Sequence, residues 1–253
     1  MVSVIRRLIK RVVVTGVGTR PAISVVAAFK RRGWLVVGVD ADFHPQHVNQ
    51  FYLVSRGDHP GFVDELLMLV RRERTTLLLP TRDVEYLPLS RRSAELRRLG
   101  AAVFLPEPVT VEDIVSTRHL TSVLRAAGIT VWDSGIFPPQ LIGHDAEWFE
   151  VTVCRDVRLP YETFVCSVHE LSADEHAEGP LAERRKGESE IEELAVRTVK
   201  TLGLPGAATV HLRRDTDGRL GVARLALGPC EYAPFTDDAL DAVLSLWERV
   251  QPP

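Results

Sequence analysis

The stretch RVVVTGVGTRPAISVVAAFKRRGWLVVGVDAD, residues 11–42, decides the fold of this chain. A short apolar run, Val12–Val14, leads into the glycine-bearing turn Gly16–Gly18. Pro21 follows, and proline is tolerated in the first turn of a helix because no backbone donor is needed there. A second apolar run, Trp34–Val39, comes next. The stretch therefore predicts a strand, a tight turn, a helix and a second strand, which form one crossover unit of a parallel sheet.

The glycine turn approaches a dinucleotide-binding fingerprint without matching it. That pattern requires a third glycine or alanine where this chain has a proline. A helix N-terminus above a strand end still favours an anion, through its dipole and its unpaired N–H groups. Gly16, Gly18, Thr19 and Arg20 are therefore candidate ligand-binding residues. The alternative is that the two glycines only let the chain turn under the helix.

Polar side chains also follow two of the other predicted strands. Asp40 and Asp42 come at the end of the second apolar run, and Thr81, Arg82 and Asp83 come after the apolar run TLLLP. The carboxyl ends of parallel strands share one edge of a sheet, where ligands bind in open α/β folds. We therefore include all five residues in the candidate site. Two alternatives remain open: Asp40 and Asp42 can cap the following loop, and Arg82 and Asp83 can form a mutual ion pair or a helix cap.

Strands and helices alternate through the first hundred residues. Further strands are predicted at Phe51–Val54, Thr76–Pro80 and Ala102–Leu105, with helices at Gly61–Arg74 and Val84–Leu99. Strands that alternate with helices of ten or more residues imply crossover connections. The first part of the chain is therefore predicted to be an α/β domain with a doubly wound parallel sheet.

Composition narrows the possible classes of function. The chain has 253 residues, a formal net charge of -3 and 26% charged residues, and its arginines are interspersed with acids. Nucleic acid is therefore not expected as a partner, and no apolar run has membrane-spanning length. Three scattered cysteines fit a reducing compartment, so we expect a cytoplasmic protein. His44 and His47 lack a third ligand nearby, and no metal is predicted there.

The order of motifs resembles the start of an ATP-grasp protein, of the branch that includes the carbamoyl-phosphate synthase large chain and related carboxylate-amine ligases. The resemblance rests on TGVGTRPAISVVAAFKRRG, VVGVDAD, FYLVSR, LLLPTRDVEYLPL and the helix that ends in AAGITV, and it covers roughly residues 10–132. It implies a Rossmann-like pre-ATP-grasp domain over residues 1–109. Gly128 closes the last helix of this region.

The resemblance also shows where this chain departs from the family. The family has a lid subdomain that covers ATP, whereas this chain has only the segment WDSGIFPPQLIGHDAE between Val131 and Trp148. We expect residues 110–147 to be a helical connector without a lid. An Asp-Lys pair of the family is replaced by Thr117-Arg118, and Arg118 is a possible phosphate contact.

The last hundred residues have the pattern of an antiparallel sheet with helices. WFEVTVCRDV and YETFVCSVHEL alternate as strands, and a later hairpin turns at Asp215–Gly218. Helices are predicted from Ser189 and over Asp237–Val250, the second capped by Thr236. Residues 148–253 are thus expected to form an α+β subdomain with an antiparallel sheet, resembling an ATP-grasp domain that lacks its lid.

The hairpin resembles the one that holds magnesium in the family through a Gln or Glu on the first strand and a Glu-x-Asn on the second. Those positions fall on His211, Arg224 and Ala226. An arginine brings positive charge where a dication would sit, and magnesium prefers hard oxygen ligands. No metal site is therefore predicted, and His211 and Arg224 are interpreted as strand residues that face solvent or an acid.

Two functions remain after this comparison. The first is a pseudoenzyme: an ATP-grasp-like binding or partner subunit, homo-oligomeric or part of a hetero-complex, with an anion or metabolite site at the strand ends of the first domain. The alternative is a minimal ATP-dependent carboxylate-amine ligase that forms an acyl phosphate and is completed by another chain. ATP and magnesium are cofactors only under this alternative, and no catalytic residue is assigned with either.

Overall fold

The computed structural model describes residues 10–132, 146–156, 162–172, 181–184, 187, 189–228 and 232–250. Of residues 181–184 only the backbone is described. The chain divides into two compact units, 1–103 with 250–253 and 104–249, and each is described by itself. The predicted boundaries after residues 109 and 147 remain predictions. No helix among the described residues is both long and apolar enough to span a membrane.

The first unit is built on a parallel sheet of four strands. These are β1 (Arg11–Thr15), β2 (Leu35–Asp40), β3 (Gln50–Leu53) and β4 (Leu77–Leu79), in the order β3-β2-β1-β4. β1 lies in the centre, and Val12, Val13 and Val14 have no exposed surface. Continuous apolar runs of this kind are typical of parallel strands buried on both faces. The prediction of an α/β unit with a parallel sheet is confirmed.

Four helices accompany these strands: α1 (Arg20–Arg31) between β1 and β2, α2 (Phe62–Glu73) between β3 and β4, and α3 (Asp83–Arg91) and α4 (Ser93–Arg98) after β4. The single helix predicted over Val84–Leu99 is therefore two helices. Pro88 lies inside α3 and removes one backbone donor. The chain leaves the helical conformation at Arg92, whose side chain bonds to Asp64 of α2 and Glu95 of α4.

The strand predicted over Ala102–Leu105 is reduced to one parallel bridge between Ala102 and Leu77. The Ala102 N–H donates to the Thr76 carbonyl at 3.0 Å, and its carbonyl accepts from Leu78 at 2.9 Å. The residue at position 106 is proline, which has no N–H to continue the ladder. The segment therefore pairs in parallel as predicted for a strand of this sheet, but over one residue and not over four.

The second unit begins with α5 (Pro108–Val115) and α6 (Thr117–Ala126). Its sheet has five antiparallel strands in the order β7-β6-β5-β8-β9. The bounds are β5 (Ala146–Arg155), β6 (Thr163–Ser172), β7 (Leu181–Arg184), β8 (Gly206–Asp215) and β9 (Leu220–Leu227). Helices α7 (Ser189–Thr201) and α8 (Asp237–Val250) complete the unit. The predicted α+β subdomain with an antiparallel sheet is confirmed.

Side chains alternate along β5 between two faces of the sheet. Phe149, Val151 and Val153 make one face apolar, while Glu150 and Thr152 lie on the other. Helix α7 contacts β5, β6, β8 and β9, and it buries its own apolar stripe. The opposite face carries the polar groups described below. The predicted absence of a lid concerns Val131 to Trp148, of which residues 133–145 lie outside the described residues.

Candidate functional site

Side chains from other segments of the chain pack against the glycine turn after β1. Gly16 has a φ of +59°, and a Cβ there would lie 2.7 Å from Arg82 Nε, so no larger residue fits without strain. At Gly18 a Cβ would lie 2.3 Å from the His44 ring. Thr19 caps α1, accepting a hydrogen bond from the Ala22 N–H at 3.4 Å. The turn brings its backbone into direct contact with the side chains around it.

Asp40 and Arg82 form an ion pair above this turn. Nη2 of Arg82 lies 2.9 and 3.0 Å from the two carboxylate oxygens of Asp40, which is almost fully buried. Oδ2 of Asp40 also accepts the N–H of Gly18 at 2.9 Å. An N–H that the sequence assigned to an external anion is therefore used by an internal carboxylate. The sequence left open a mutual ion pair of Arg82 and Asp83, whereas the ion pair described for Arg82 is the one with Asp40.

Glu85 is a buried acid in the same place. Thr15 at the end of β1 donates its hydroxyl to Oε2 of Glu85, and the Arg82 N–H donates to that oxygen at 3.4 Å. Thr81 bonds to Thr15 twice, from its N–H at 3.0 Å and from its hydroxyl at 2.7 Å. Burial raises the pKa of Glu85 to about 7, because these hydrogen bonds and the Arg82 charge offset only part of the desolvation.

The structure brings part of the predicted set together. Gly16, Gly18, Asp40, Thr81 and Arg82 contact one another directly at the carboxyl ends of β1, β2 and β4. Of the remaining four predicted residues of the first unit, Thr19 contacts the cluster by donating its hydroxyl to the Gly16 carbonyl at 2.8 Å. Thr19 is turned into the helix cap, and Arg20, Asp42 and Asp83 are exposed or partly exposed. Arg118 is an exposed residue of α6 in the second unit.

A second buried polar cluster lies on the antiparallel sheet. Glu150 of β5 and His211 of β8 are opposite each other, both without exposed surface, with Nε2 of His211 3.2 Å from Oε2 of Glu150. Because a carboxylate only accepts, the imidazole Nε2–H is the donor. Glu150 also accepts the backbone N–H groups of Tyr232 at 2.8 Å and Ala233 at 3.0 Å. The ring of Tyr232 lies edge-on to that of His211, 5.7 Å between centroids.

The electrostatic state of Glu150 follows from these contacts. Burial alone would raise the pKa of Glu150, but the hydrogen bond and charge of His211 together with the two backbone N–H groups outweigh it and lower the pKa. The carboxylate is therefore ionised at neutral pH. Its row across the sheet continues through His169 of β6, which is paired in register with Glu150, and Arg224 of β9, which is paired with His211.

The predicted interpretation of His211 as a residue facing an acid is correct, and the acid is Glu150. Arg224 is half-buried and Ala226 is buried on the same strand. Among the described residues, no three or more His, Cys, Asp and Glu side chains are grouped so that they could hold a metal ion.

Sequence reasoning missed Glu85 and Glu150 as members of these clusters. Glu85 falls four residues after Thr81, and it reaches back to the strand end because α3 starts at Asp83 and directs its first turn inward. Glu150 is one acid among alternating residues of a long strand. Its only sequence signal is that it lies on the face opposite Phe149 and Val151, where polar residues are usual. The contact with His211, 61 residues away, required the strand register.

Comparison with solved structures identifies the fold. The biotin carboxylase domain of a single-chain bacterial carboxylase matches with a TM-score of 0.65 and 12% identity, over 94% of this chain and 68% of that chain. N5-carboxyaminoimidazole synthetase from Staphylococcus aureus matches with a TM-score of 0.65 and 12% identity, over 92% and 77%. Glycinamide-RNase-transformylase T from Mycobacterium tuberculosis matches with a TM-score of 0.65 and 17% identity, over 92% and 78%.

Other matching chains are much longer. This chain spans 25% of a single-chain, multi-domain long-chain acyl-CoA carboxylase and 21% of a multifunctional pyruvate carboxylase from Rhizobium etli. No protein-family model and no curated protein matches the sequence. At identities of 12 to 17% the structural likeness establishes the fold alone. The predicted resemblance is confirmed at that level: this chain has the fold of the ATP-grasp superfamily.

Proposed function

We propose that this chain is an ATP-grasp-like scaffold that does not catalyse ligation and works as a binding or partner subunit. One observation carries the proposal, the buried contact between Glu150 and His211. At the position where the family resemblance places a magnesium ligand, the side chain is an imidazole that already donates to a carboxylate. Arg224 and Ala226, at the other two positions, supply no oxygen ligand.

The positive charge of Arg224 also disfavours a metal ion at these positions. Arg224 is half-buried and pairs in register with His211. Two like unit charges about 4 Å apart repel by about 4 kcal/mol at an effective dielectric of about 20. A dication would meet this repulsion twice over, because it carries two charges. Glu150 is the acid of this row, and both of its oxygens already accept hydrogen bonds, from His211, Tyr232 and Ala233.

Nucleotide binding tests this proposal. Calorimetric titration of the protein with ATP and magnesium is expected to give no dissociation constant tighter than about 1 mM, which corresponds to about 4 kcal/mol of binding. A matched titration with Glu150→Gln shows whether the charge of Glu150 affects nucleotide binding. Glu150 belongs to the row of His169, Glu150, His211 and Arg224 across the sheet, which we call the polar row. Binding in the micromolar range by the unmodified protein would show that the row does not prevent nucleotide binding, and the proposal would fall.

We further propose that the predicted site of the first unit takes a small anion in competition with Asp40. Asp40 occupies the Gly18 N–H and both of its oxygens contact Arg82, so an incoming anion must replace this internal carboxylate. The Arg82 side chain keeps about one third of its surface exposed, although its Nε is buried. Arg82 also suits the purpose chemically, because its planar fork binds carboxylate and phosphate through two hydrogen bonds.

Substitutions at the ion pair separate this site from a purely structural cluster. Asp40→Asn keeps an acceptor for Gly18 but removes the competing charge, so inorganic phosphate should bind at least about tenfold more tightly than to the unmodified protein. Arg82→Gln should abolish that binding. Arg20→Ala measures whether the exposed arginine of α1 contributes. Equal phosphate affinity in all four proteins would exclude an anion site here.

The alternative function is the minimal ATP-dependent carboxylate-amine ligase. It is favoured by one comparison: the Staphylococcus aureus synthetase complexed with ADP matches this chain with a TM-score of 0.65 over 92% of its length. In this case Arg118 would contact a phosphate and another chain would supply the lid. ATP binding that is lost in Arg118→Ala, together with ADP release on addition of an amine and a carboxylate, would favour this function over the first.

A role beside other proteins also fits the comparisons. Two of the matching proteins, a multi-domain and a multifunctional carboxylase, are matched over about a quarter of their chain or less. We propose that this chain likewise acts in an assembly, as a homo-oligomer or in a hetero-complex. The cytoplasmic location remains a prediction.

A further inference from the structure

The two units carry opposite charge, which the net charge of -3 for the whole chain conceals. Residues 1–103 contain 17 Lys or Arg and nine Asp or Glu, a net charge of +8. Residues 104–249 contain 14 Lys or Arg and 25 Asp or Glu, a net charge of -11. A division of this size creates a field that extends over about a Debye length, 8 to 10 Å at physiological salt.

The positive charge of the first unit is concentrated at one edge of its sheet. The strands are parallel, so all of them begin at this edge, and the connecting helices end there. Backbone contacts show the convergence: the Leu35 N–H donates to Lys10, Thr76 donates to Arg11, and Ala102 donates to Thr76, each at 3.0 Å. The edge is thus a continuous surface across β2, β1 and β4.

Four segments supply the charge of this surface, which we call the basic edge: residues 10–11, 30–32, 71–74 and 97–98. They comprise ten Lys or Arg and a single acid, Glu73. Glu73 is buried, and its carboxylate accepts the hydroxyl of Tyr52 at 2.6 Å. The basic residues are exposed, apart from Arg11, which donates to the Glu73 carbonyl at 2.6 Å.

Helix ends account for part of this pattern, because basic residues in a last turn stabilise the helix dipole. Lys30 and Arg31 of α1 and Arg71 and Arg72 of α2 are of this kind. The dipole does not account for the residues outside helices, which include Lys10 before β1 and Arg74, the left-handed residue that ends α2.

We propose that the basic edge binds the acidic second unit of another copy of this chain. We choose this partner because the two units have complementary net charges, +8 on the first and -11 on the second. Arginine predominates in the basic edge, and its fork pairs with carboxylates through two hydrogen bonds. A nucleic acid is less favoured, because the excess negative charge of the second unit would repel a polyanion. The proposal does not depend on whether the chain binds ATP.

Light scattering at two salt concentrations tests the association. At about 20 mM salt the protein is expected to be dimeric or larger, and at about 500 mM it should dissociate, since the Debye length falls to a few ångströms. Arg71→Glu with Arg97→Glu should raise the dissociation constant at low salt by at least about tenfold. The matched control is Arg56→Glu with Lys200→Glu, which has the same net charge but leaves the basic edge intact.

A charge reversal on the acidic side completes the test. Asp238 and Asp241 are exposed on α8, and Asp238→Lys with Asp241→Lys should restore association to the Arg71→Glu, Arg97→Glu protein if α8 is the contacted surface. A monomer at both salt concentrations overturns the proposal. So does association that the control pair weakens as much as the edge pair. The proposal is also overturned, in favour of a nucleic-acid partner, if the monomer binds a labelled oligonucleotide and the Arg71→Glu, Arg97→Glu protein does not.

Discussion

Replacing Glu85 by glutamine should stabilise the first unit, and more so as the pH rises. Glu85 is almost fully buried, and burial raises its pKa to about 7 from an unperturbed value of 4.5. The folded state then holds a proton that the unfolded state has released between these two values. Because the native state binds more protons there, the free energy of unfolding falls as pH rises from about 4.5 to about 7.

The size of the effect follows from the shift. Each pKa unit corresponds to 1.36 kcal/mol, so a shift of about 2.5 units lowers the stability above pH 7 by about 3 kcal/mol relative to pH 4. Glutamine has the same shape and carries no charge. Its side-chain oxygen still accepts from Thr15 and from the Arg82 N–H, which donate to the carboxylate in the native chain. Glu85→Gln should therefore match the native protein near pH 4.5 and exceed its stability near pH 8.

Urea unfolding at a series of pH values measures this difference, and amide exchange of peptides from β1 and α3 assigns it to the first unit. Glu95→Gln is the control: hydrogen bonds from Arg92 lower the pKa of Glu95, so this change should not stabilise at high pH. If the stability difference between Glu85→Gln and the native protein is the same from about pH 5 to about pH 8, the carboxyl group is not held in its neutral form and the reasoning fails.

Two further substitutions test contacts at the two clusters. Gly18→Ala should lower the free energy of unfolding by about 1 to 3 kcal/mol, because a Cβ at this position would overlap the His44 ring. The double variant Gly18→Ala with His44→Ala should recover most of this loss in the same urea assay. If it does not, the backbone conformation at Gly18, and not the His44 ring, disfavours alanine. Glu150→Gln should cost about 1 to 3 kcal/mol near pH 7, since it replaces a buried carboxylate that accepts hydrogen bonds from His211, Tyr232 and Ala233. An unchanged urea midpoint would show that these contacts do not stabilise the fold.

The fold was largely predictable because its signals are local. Continuous apolar strands separated by amphipathic helices predict a parallel sheet, and the alternation along Trp148–Arg155 predicts an antiparallel strand. The helix over Asp237–Val250 has the predicted bounds, and Thr236 accepts the Ala239 N–H as its cap at 3.2 Å. Capping and period are properties of a few consecutive residues, so the sequence is sufficient to locate them.

The sequence predicted which residues lie near one another at the site, but not which of them contact each other. The end-of-strand rule placed Asp40 and Arg82 at one edge, but whether they would bind an external ligand or each other depends on distances between segments 42 residues apart. The roles of Glu85 and Glu150 depend on their burial and, for Glu150, on strand register, and neither property can be read from a few consecutive residues. Near Arg92, where the chain leaves the expected helix, Pro88 is a local signal, whereas the bond from Arg92 to Asp64 of a different helix is a tertiary contact that the sequence does not show.

The central claim is that the polar row of the antiparallel sheet satisfies its own charges and holds no magnesium. Manganese in place of magnesium tests this most directly, because its electron paramagnetic resonance signal in solution is lost when the ion is bound by a protein. With ATP present, the free-manganese signal is expected to be the same with and without this protein. A decrease that follows the protein concentration and disappears in His211→Ala would contradict the account and show a metal site at the row of Glu150 and His211.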